Sequence, residues 1–265
     1  MNILIDKKEK NEISYITKAS FMVTYILLLT TATITFIEAM RTNIPSVRHI
    51  LNLETCISIV AGYFYSIFIN QIDDVDENKL KGICKEINTR EEGIWKEINT
   101  REEGIWKEIN TREEGIWKEI TKTRYIDWSI TTPMMLLTLC LVLGMNTRVP
   151  IHIGIFLLIL FFNYSMLYLG YLGEIEWIDR SVACFTGFIA FFVMFLIIFH
   201  IFVKPKFIYA NYVLYFMYLF VWSIYGIVYL LGEEWKNIAM NILDFIAKCF
   251  IGLGLWAYYT KIFIA

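Results

Sequence analysis

The sequence predicts an all-α membrane protein, a bundle of seven transmembrane helices. Three observations predict it. Apolar residues make up 57% of the 265-residue chain and mean hydropathy is +0.52, above the share usual for soluble domains. Seven apolar runs are long enough to cross a bilayer, which takes roughly 20 helical residues. Charged residues, 19% of the chain, gather between these runs far more than within them. The net charge of −2 gives no footing for a nucleic-acid partner; the expected surroundings are membrane lipid. Five scattered cysteines argue against a disulfide framework or a zinc site.

The runs cover about 16–40, 50–69, 126–145, 150–172, 182–203, 207–231 and 238–265. Each is read as a helix, because an open segment in lipid has no other partner for its backbone polar groups. Basic residues set the orientation. Arg41, Arg48 and His49, then Arg148 and His152, then Lys204 and Lys206 follow the odd-numbered runs. Asp73, Asp74, Asp76 and Glu77, then Glu174, Glu176 and Asp179, then Glu233 and Glu234 follow the even ones. The N-terminus is therefore expected outside and the C-terminus in the cytoplasm of a multi-pass protein.

The chain reads as one domain, 1–265, with an extracellular repeat insertion at 81–121 in the one long loop. KEINTREEGIW occurs at Lys85–Trp95, Lys96–Trp106 and Lys107–Trp117. An 11-residue period suits a helix with a right-handed drift of its apolar stripe. Gly93, Gly104 and Gly115 weaken such a helix by about 1 kcal/mol each. A duplication in a tolerant loop is the favoured reading; a helical stalk that self-associates or docks a partner is the sharper one.

The chemistry concentrates in two runs. Asp244 and Lys248 lie four residues apart in the last, so a helix stacks them on one face. Ionisable groups at that depth are costly unless paired or in use. A lysine in an apolar pocket gives up its proton readily, and the neutral amine condenses with an aldehyde to a Schiff base. The third run opens Arg124-Tyr125-Ile126-Asp127-Trp128-Ser129-Ile130-Thr131-Thr132-Pro133. Asp127, Thr131 and Thr138 share one helical face, and Pro133 removes a backbone donor. An interfacial Arg124–Asp127 pair with no other role is the blander reading. A chain that also holds Asp244 and Lys248 weighs against it.

These residues carry a resemblance. RYxDWxxTTP in a third span and DxxxK in a seventh resemble the microbial rhodopsins, the seven-helix retinal proteins, over all the spans. Trp222-Ser223-Ile224-Tyr225-Gly226-Ile227-Val228-Tyr229 is similar to the family's sixth span, with Gly226 where proline is usual. The resemblance implies all-trans retinal in the core, bound covalently to Lys248 as a Schiff base. It implies Asp127 as counterion and first proton acceptor, Asp244 as second carboxylate and Arg124 just outside them. Trp128, Thr132, Met166, Gly170, Trp222, Tyr225 and Tyr229 would wall the chromophore, and Tyr65 would hydrogen-bond toward Asp244. Glu233 and Glu234 would sit at the extracellular exit.

Where outward pumps of the family usually carry an acid, eleven residues after Asp127, this chain has Thr138. Glu54 on the second run is the candidate to serve instead, with Arg48 and Trp256 close by; a plain Arg48–Glu54 ion pair is the equal alternative. The combination resembles the rhodopsins of giant viruses, more closely their second group, which would place the protein in a host-cell membrane. The expected function is light-driven outward proton transport and not enzymatic catalysis. A light-gated cation channel is the alternative, and a photosensor a more distant one. A homo-oligomer, trimer or pentamer, is expected, with no transducer.

Overall fold

The computed structural model describes the backbone of residues 2–90 and 98–260, and the side chains of 15–73 and 115–260. Helix α1 covers Asn2–Arg41, α2 Pro45–Arg90, α3 Ile98–Thr147 and α4 Ile153–Glu174. Helix α5 runs Arg180–Ile198 and passes into a π-helical end, Phe199–Val203. Helix α6 is Tyr209–Val228. Helix α7 is the span Glu233–Thr260, interrupted by a π-helical turn at Phe245–Phe250. Seven membrane-spanning segments result, so the protein is an integral, multi-pass membrane protein.

The sequence shows how these helices face. On α5, Ala183, Gly187, Ala190, Met194 and Ile198 are inside, and Phe185, Ile189, Phe192 and Leu196 are outside. Both sets are apolar and both recur at helical spacing. A helix apolar all round suits a bilayer on one side and a core on the other. The helices close a ring: α1 packs on α2 and α7, α3 on α2, α4 and α6, α5 on α4 and α6, and α6 on α7.

Local chemistry sets several element ends. Asp179 caps α5, its Oδ1 accepting from the Ser181 and Val182 amides at 2.8 and 3.2 Å, as expected of an N-cap aspartate. Pro133 lies inside α3 and cannot donate to the carbonyl four residues back. That carbonyl, on Ser129, instead accepts from the Tyr164 hydroxyl of α4 at 3.1 Å.

The segment read as one long loop is different in its described part. Helix α2 continues to Arg90 and α3 begins at Ile98, with Gly104 and Gly115 inside it; residues 91–97 lie outside the described residues. A 3.67-residue period is close enough to the helical repeat that the glycine penalties do not break the helix.

The α2–α3, α4–α5 and α6–α7 connections share one end of the bundle, here the repeat end. The α1–α2, α3–α4 and α5–α6 connections share the other, the basic end.

Candidate functional site

Helix α7 presents Asn237, Asn241, Asp244 and Lys248 along one face, at successive steps of four, three and four residues. All four are buried. The π-helical turn holds Lys248, and such turns often mark functional positions. Lys248 Nζ donates to Asp127 Oδ2 of α3 at 2.8 Å and stands 3.5 Å from Asp244 Oδ2. Arg124, one turn before Asp127, has Nη1 3.6 Å from Asp244 Oδ2. Two cations and two carboxylates thus form a neutral cluster in an apolar core, the arrangement that makes buried charge tolerable.

Asp244 is held on both sides. Its Oδ1 accepts from the Tyr225 hydroxyl of α6 at 2.6 Å, and its Oδ2 from the Tyr65 hydroxyl of α2 at 2.8 Å. Asn241 Oδ1 lies 3.0 Å from Tyr65 Oη and accepts from Arg124 Nη2 at 3.0 Å; its amide donates to Ser20 Oγ of α1. Arg124 Nη2 also donates to Asn237 Oδ1, and the guanidinium packs against the rings of Phe21 and Phe68, 5.5 and 5.2 Å from their centroids. Asp127 Oδ1 and Arg124 Nε and Nη1 have no hydrogen-bond partner. In folded proteins such buried atoms are ordinarily met by internal water.

The Arg124–Asp127 ion pair weighed from the sequence is not found. Both residues are buried, and Arg124 turns to Asp244 because the α7 face, not its own helix, supplies acceptors on both sides of it.

Beyond Lys248 opens an apolar cavity. Trp128, Thr132, Met166, Gly170, Trp222, Tyr225 and Tyr229, the residues expected to wall a chromophore, all line it. Tyr65 does not line it: Tyr65 belongs to the hydrogen-bond layer behind Asp244, because α2 faces the carboxylate and not the cavity. Trp128 packs edge-on against Tyr225, and Trp222 against Phe195. The ring of Phe188 fills the space beside Gly226, so closely that a methyl group there would overlap it. Thr132 accepts from the Asn163 amide at 2.9 Å and donates to the Trp128 carbonyl. Thr131 donates to the Asp127 carbonyl. Tyr229 donates to the Gly170 carbonyl at 3.1 Å. An apolar, aromatic-lined cavity with one lysine in its lining fits a conjugated aldehyde bound through that amine.

Toward the basic end, Glu54 is 2% exposed. Its Oε2 lies where a side chain at residue 252 would begin, 2.8 Å from that position; glycine makes the room. Thr138 is its polar neighbour, although neither Glu54 Oε1 nor Thr138 Oγ1 completes a hydrogen bond. The Arg48–Glu54 pair is not formed, and the expected meeting of Arg48, Glu54 and Trp256 fails at Arg48. Arg48 Nη2 donates to the Thr42 carbonyl on the exposed α1–α2 turn, six residues and more than a helical turn from Glu54. Trp256 packs near Leu51 and Val47.

At the repeat end Glu233 is not a lone carboxyl. It accepts from Lys236 at 2.8 Å and from Arg180 at 3.2 Å, and Glu174 accepts from the same two cations. Glu234 lines a surface cavity together with Glu174, Arg180 and Glu233. Sequence reasoning missed Lys236, Asn237, Asn241, Asn163 and the Glu174–Arg180 pair. Asn237 and Asn241 were findable, since they continue the Asp244–Lys248 face at helical spacing. The ion cluster was not, because Lys236 and Glu174 are 62 residues apart.

Comparison with known proteins gives the family. A family profile described as "Bacteriorhodopsin-like protein" matches residues 16–262. The viral rhodopsin OLPVRII is 37% identical, over 93% of this chain and 98% of that one, with a TM-score of 0.74. A blue light-absorbing proteorhodopsin from Med12 is 22% identical over 94% and 99%, TM-score 0.63. Acetabularia rhodopsin I is 18% identical over 95% and 97%, TM-score 0.65. The last two speak for the fold alone. No curated protein matches the chain. The resemblance to microbial rhodopsins, the viral second group among them, is borne out. The chain belongs to the bacteriorhodopsin-like family and is a retinal-binding microbial rhodopsin.

Proposed function

We propose that the protein is a light-driven outward proton pump, with the repeat end outside and the basic end in the cytoplasm. The observation that carries the proposal is the direct contact of Lys248 Nζ with Asp127 Oδ2 at 2.8 Å, within a neutral cluster of two cations and two carboxylates. When bound through Lys248 in the all-trans form, retinal supplies light absorption and the isomerisation that drives the cycle.

The chain's own residues do the rest. Asp127 receives the proton from Lys248 Nζ, across one hydrogen bond. Asp244 does not compete for it as well, because two tyrosine hydroxyls and Arg124 already engage its oxygens. The transfer neutralises Lys248 Nζ and Asp127 together and leaves Arg124 and Asp244 as the charged pair of the cluster. Loss of the Asp127 charge weakens the pull on the guanidinium from that side and favours release toward the repeat end through Asn237. Glu54, buried opposite Thr138, is the group that returns a proton from the cytoplasmic side. Thr138 itself has none to give near neutral pH, so return is slow.

The test is the voltage dependence of the photocurrent in cells expressing the protein with retinal. A pump gives outward current over a wide range of potential, and illuminated cells acidify an unbuffered medium until a protonophore is added. A current that reverses near an ionic equilibrium potential would make the protein a light-gated channel instead. No current at all, with a visible absorption band present, would leave a photosensor.

A further inference from the structure

The route from the Lys248 cluster to the repeat end ends on a second set of charges. Arg124 Nη2 donates to Asn237 Oδ1, and the Asn237 amide donates to the Glu233 carbonyl at 2.8 Å. One residue earlier on α7, Lys236 is 1% exposed. Its ammonium contacts both Glu174 oxygens, at 3.0 and 3.2 Å, and Glu233 Oε1 at 2.8 Å. Arg180 bridges the same two carboxylates at 2.8 and 3.2 Å and lies 5.3 Å over the Tyr229 ring. Tyr229 lines the cavity. The start of α7, the end of α4 and the start of α5 are therefore clasped by four alternating charges. Lys236 is the most deeply buried of them, with side-chain exposure of 1% against 6% for Glu174, 34% for Arg180 and 42% for Glu233.

We propose that Lys236 is the positioning residue that closes the outward exit, holding Glu174 and Glu233 with Arg180 in a neutral ionic lock. The inference rests on the pump reading above and adds the order of its proton steps. Two carboxylates facing two cations balance in charge and hold the three helix ends together. The proton leaving Asp127 therefore reaches bulk only when the lock opens, after the cytoplasmic side has delivered its replacement. Uptake precedes release. Without the ammonium, two carboxylates share one guanidinium, and like charges so placed retain a proton between them; that proton is free to leave first.

The experiment is a flash-induced pH-indicator measurement on the retinal-bound protein, alongside dark bleaching by hydroxylamine. Hydroxylamine reports access to the Lys248 linkage without any transport. The wild type should show alkalinisation before acidification, and Lys236→Gln the reverse order with bleaching several-fold faster. Lys236→Arg should keep the wild-type order and bleaching rate, which a loss of general packing would not restore. Glu174→Gln, which leaves both cations on Glu233, should keep uptake first; it serves where Lys236→Gln yields no coloured protein. Release first in the wild type, an unchanged order in Lys236→Gln, or release first in Glu174→Gln would overturn the lock. The absence of any proton signal in the wild type would overturn the pump reading instead. The lock would then stand or fall on whether bleaching quickens in Lys236→Gln and not in Lys236→Arg.

Discussion

Replacing Asp127 with asparagine removes one of two negative charges beside Lys248 while keeping the shape of the side chain. The distances give the scale. At an effective dielectric of about 20, a unit charge at 2.8 Å attracts the lysine cation by about 6 kcal/mol, and one at 3.5 Å by about 5 kcal/mol. Asp127→Asn thus removes somewhat more than half of the local attraction and leaves Arg124, Lys248 and Asp244 with one uncompensated positive charge. Two results are expected. The absorption band moves to longer wavelength, because excitation draws positive charge away from the nitrogen and the lost anion had favoured the ground state. Light-driven proton transport falls by a factor of about 100 or more, the usual worth of a positioned proton-transfer group. Photocurrent per coloured molecule, measured with the band in the same preparation, is the assay. A variant that kept half of the wild-type current would refute Asp127 as acceptor. Asp244→Asn is the control: it removes the nearly equal second attraction and leaves one acceptor oxygen where Tyr65 and Tyr225 now have one each. It should cost colour and stability as well as current.

Two further outcomes follow from the packing. Glu54→Gln should leave the absorption band in place, since Glu54 does not line the cavity, but slow recovery of the dark state by roughly 100-fold in flash photolysis; recovery within a factor of two would remove Glu54 from the return path. Gly226→Ala should cost about 1–3 kcal/mol by overpacking against Phe188, read as a lower temperature for thermal loss of the band. The cost should shrink when Phe188→Ala is combined with it, because residues in contact couple. Additive losses would mean that the two side chains do not compete for the same space.

The reading of residues and their places in the fold agreed where one helix carried the information. Asp244 and Lys248 share a face because a helix returns to the same side every three to four residues, so their juxtaposition follows from spacing alone. The same holds for the seven spans, which need only length and apolarity. Arg124 illustrates the limit. Its nearest carboxylate in sequence is Asp127, yet its guanidinium goes to Asp244, Asn237 and Asn241, 113 to 120 positions away. Glu54 likewise passes over Arg48 and turns inward to Thr138 and the gap at Gly252.

What the sequence by itself determined is the number of membrane spans, the family, the amine at Lys248, the two carboxylates and the aromatic set around the cavity. These depend on local periodicity and on motifs that sit within one helix. Only the tertiary structure decided which carboxylate touches the lysine, which cation faces which acid, and that Lys236, Glu174, Arg180 and Glu233 join at the repeat end. Pairings of this kind are made where different helices meet in three dimensions. A side chain's partner in a membrane core is set by which faces the bundle turns together, and no spacing along the chain records that.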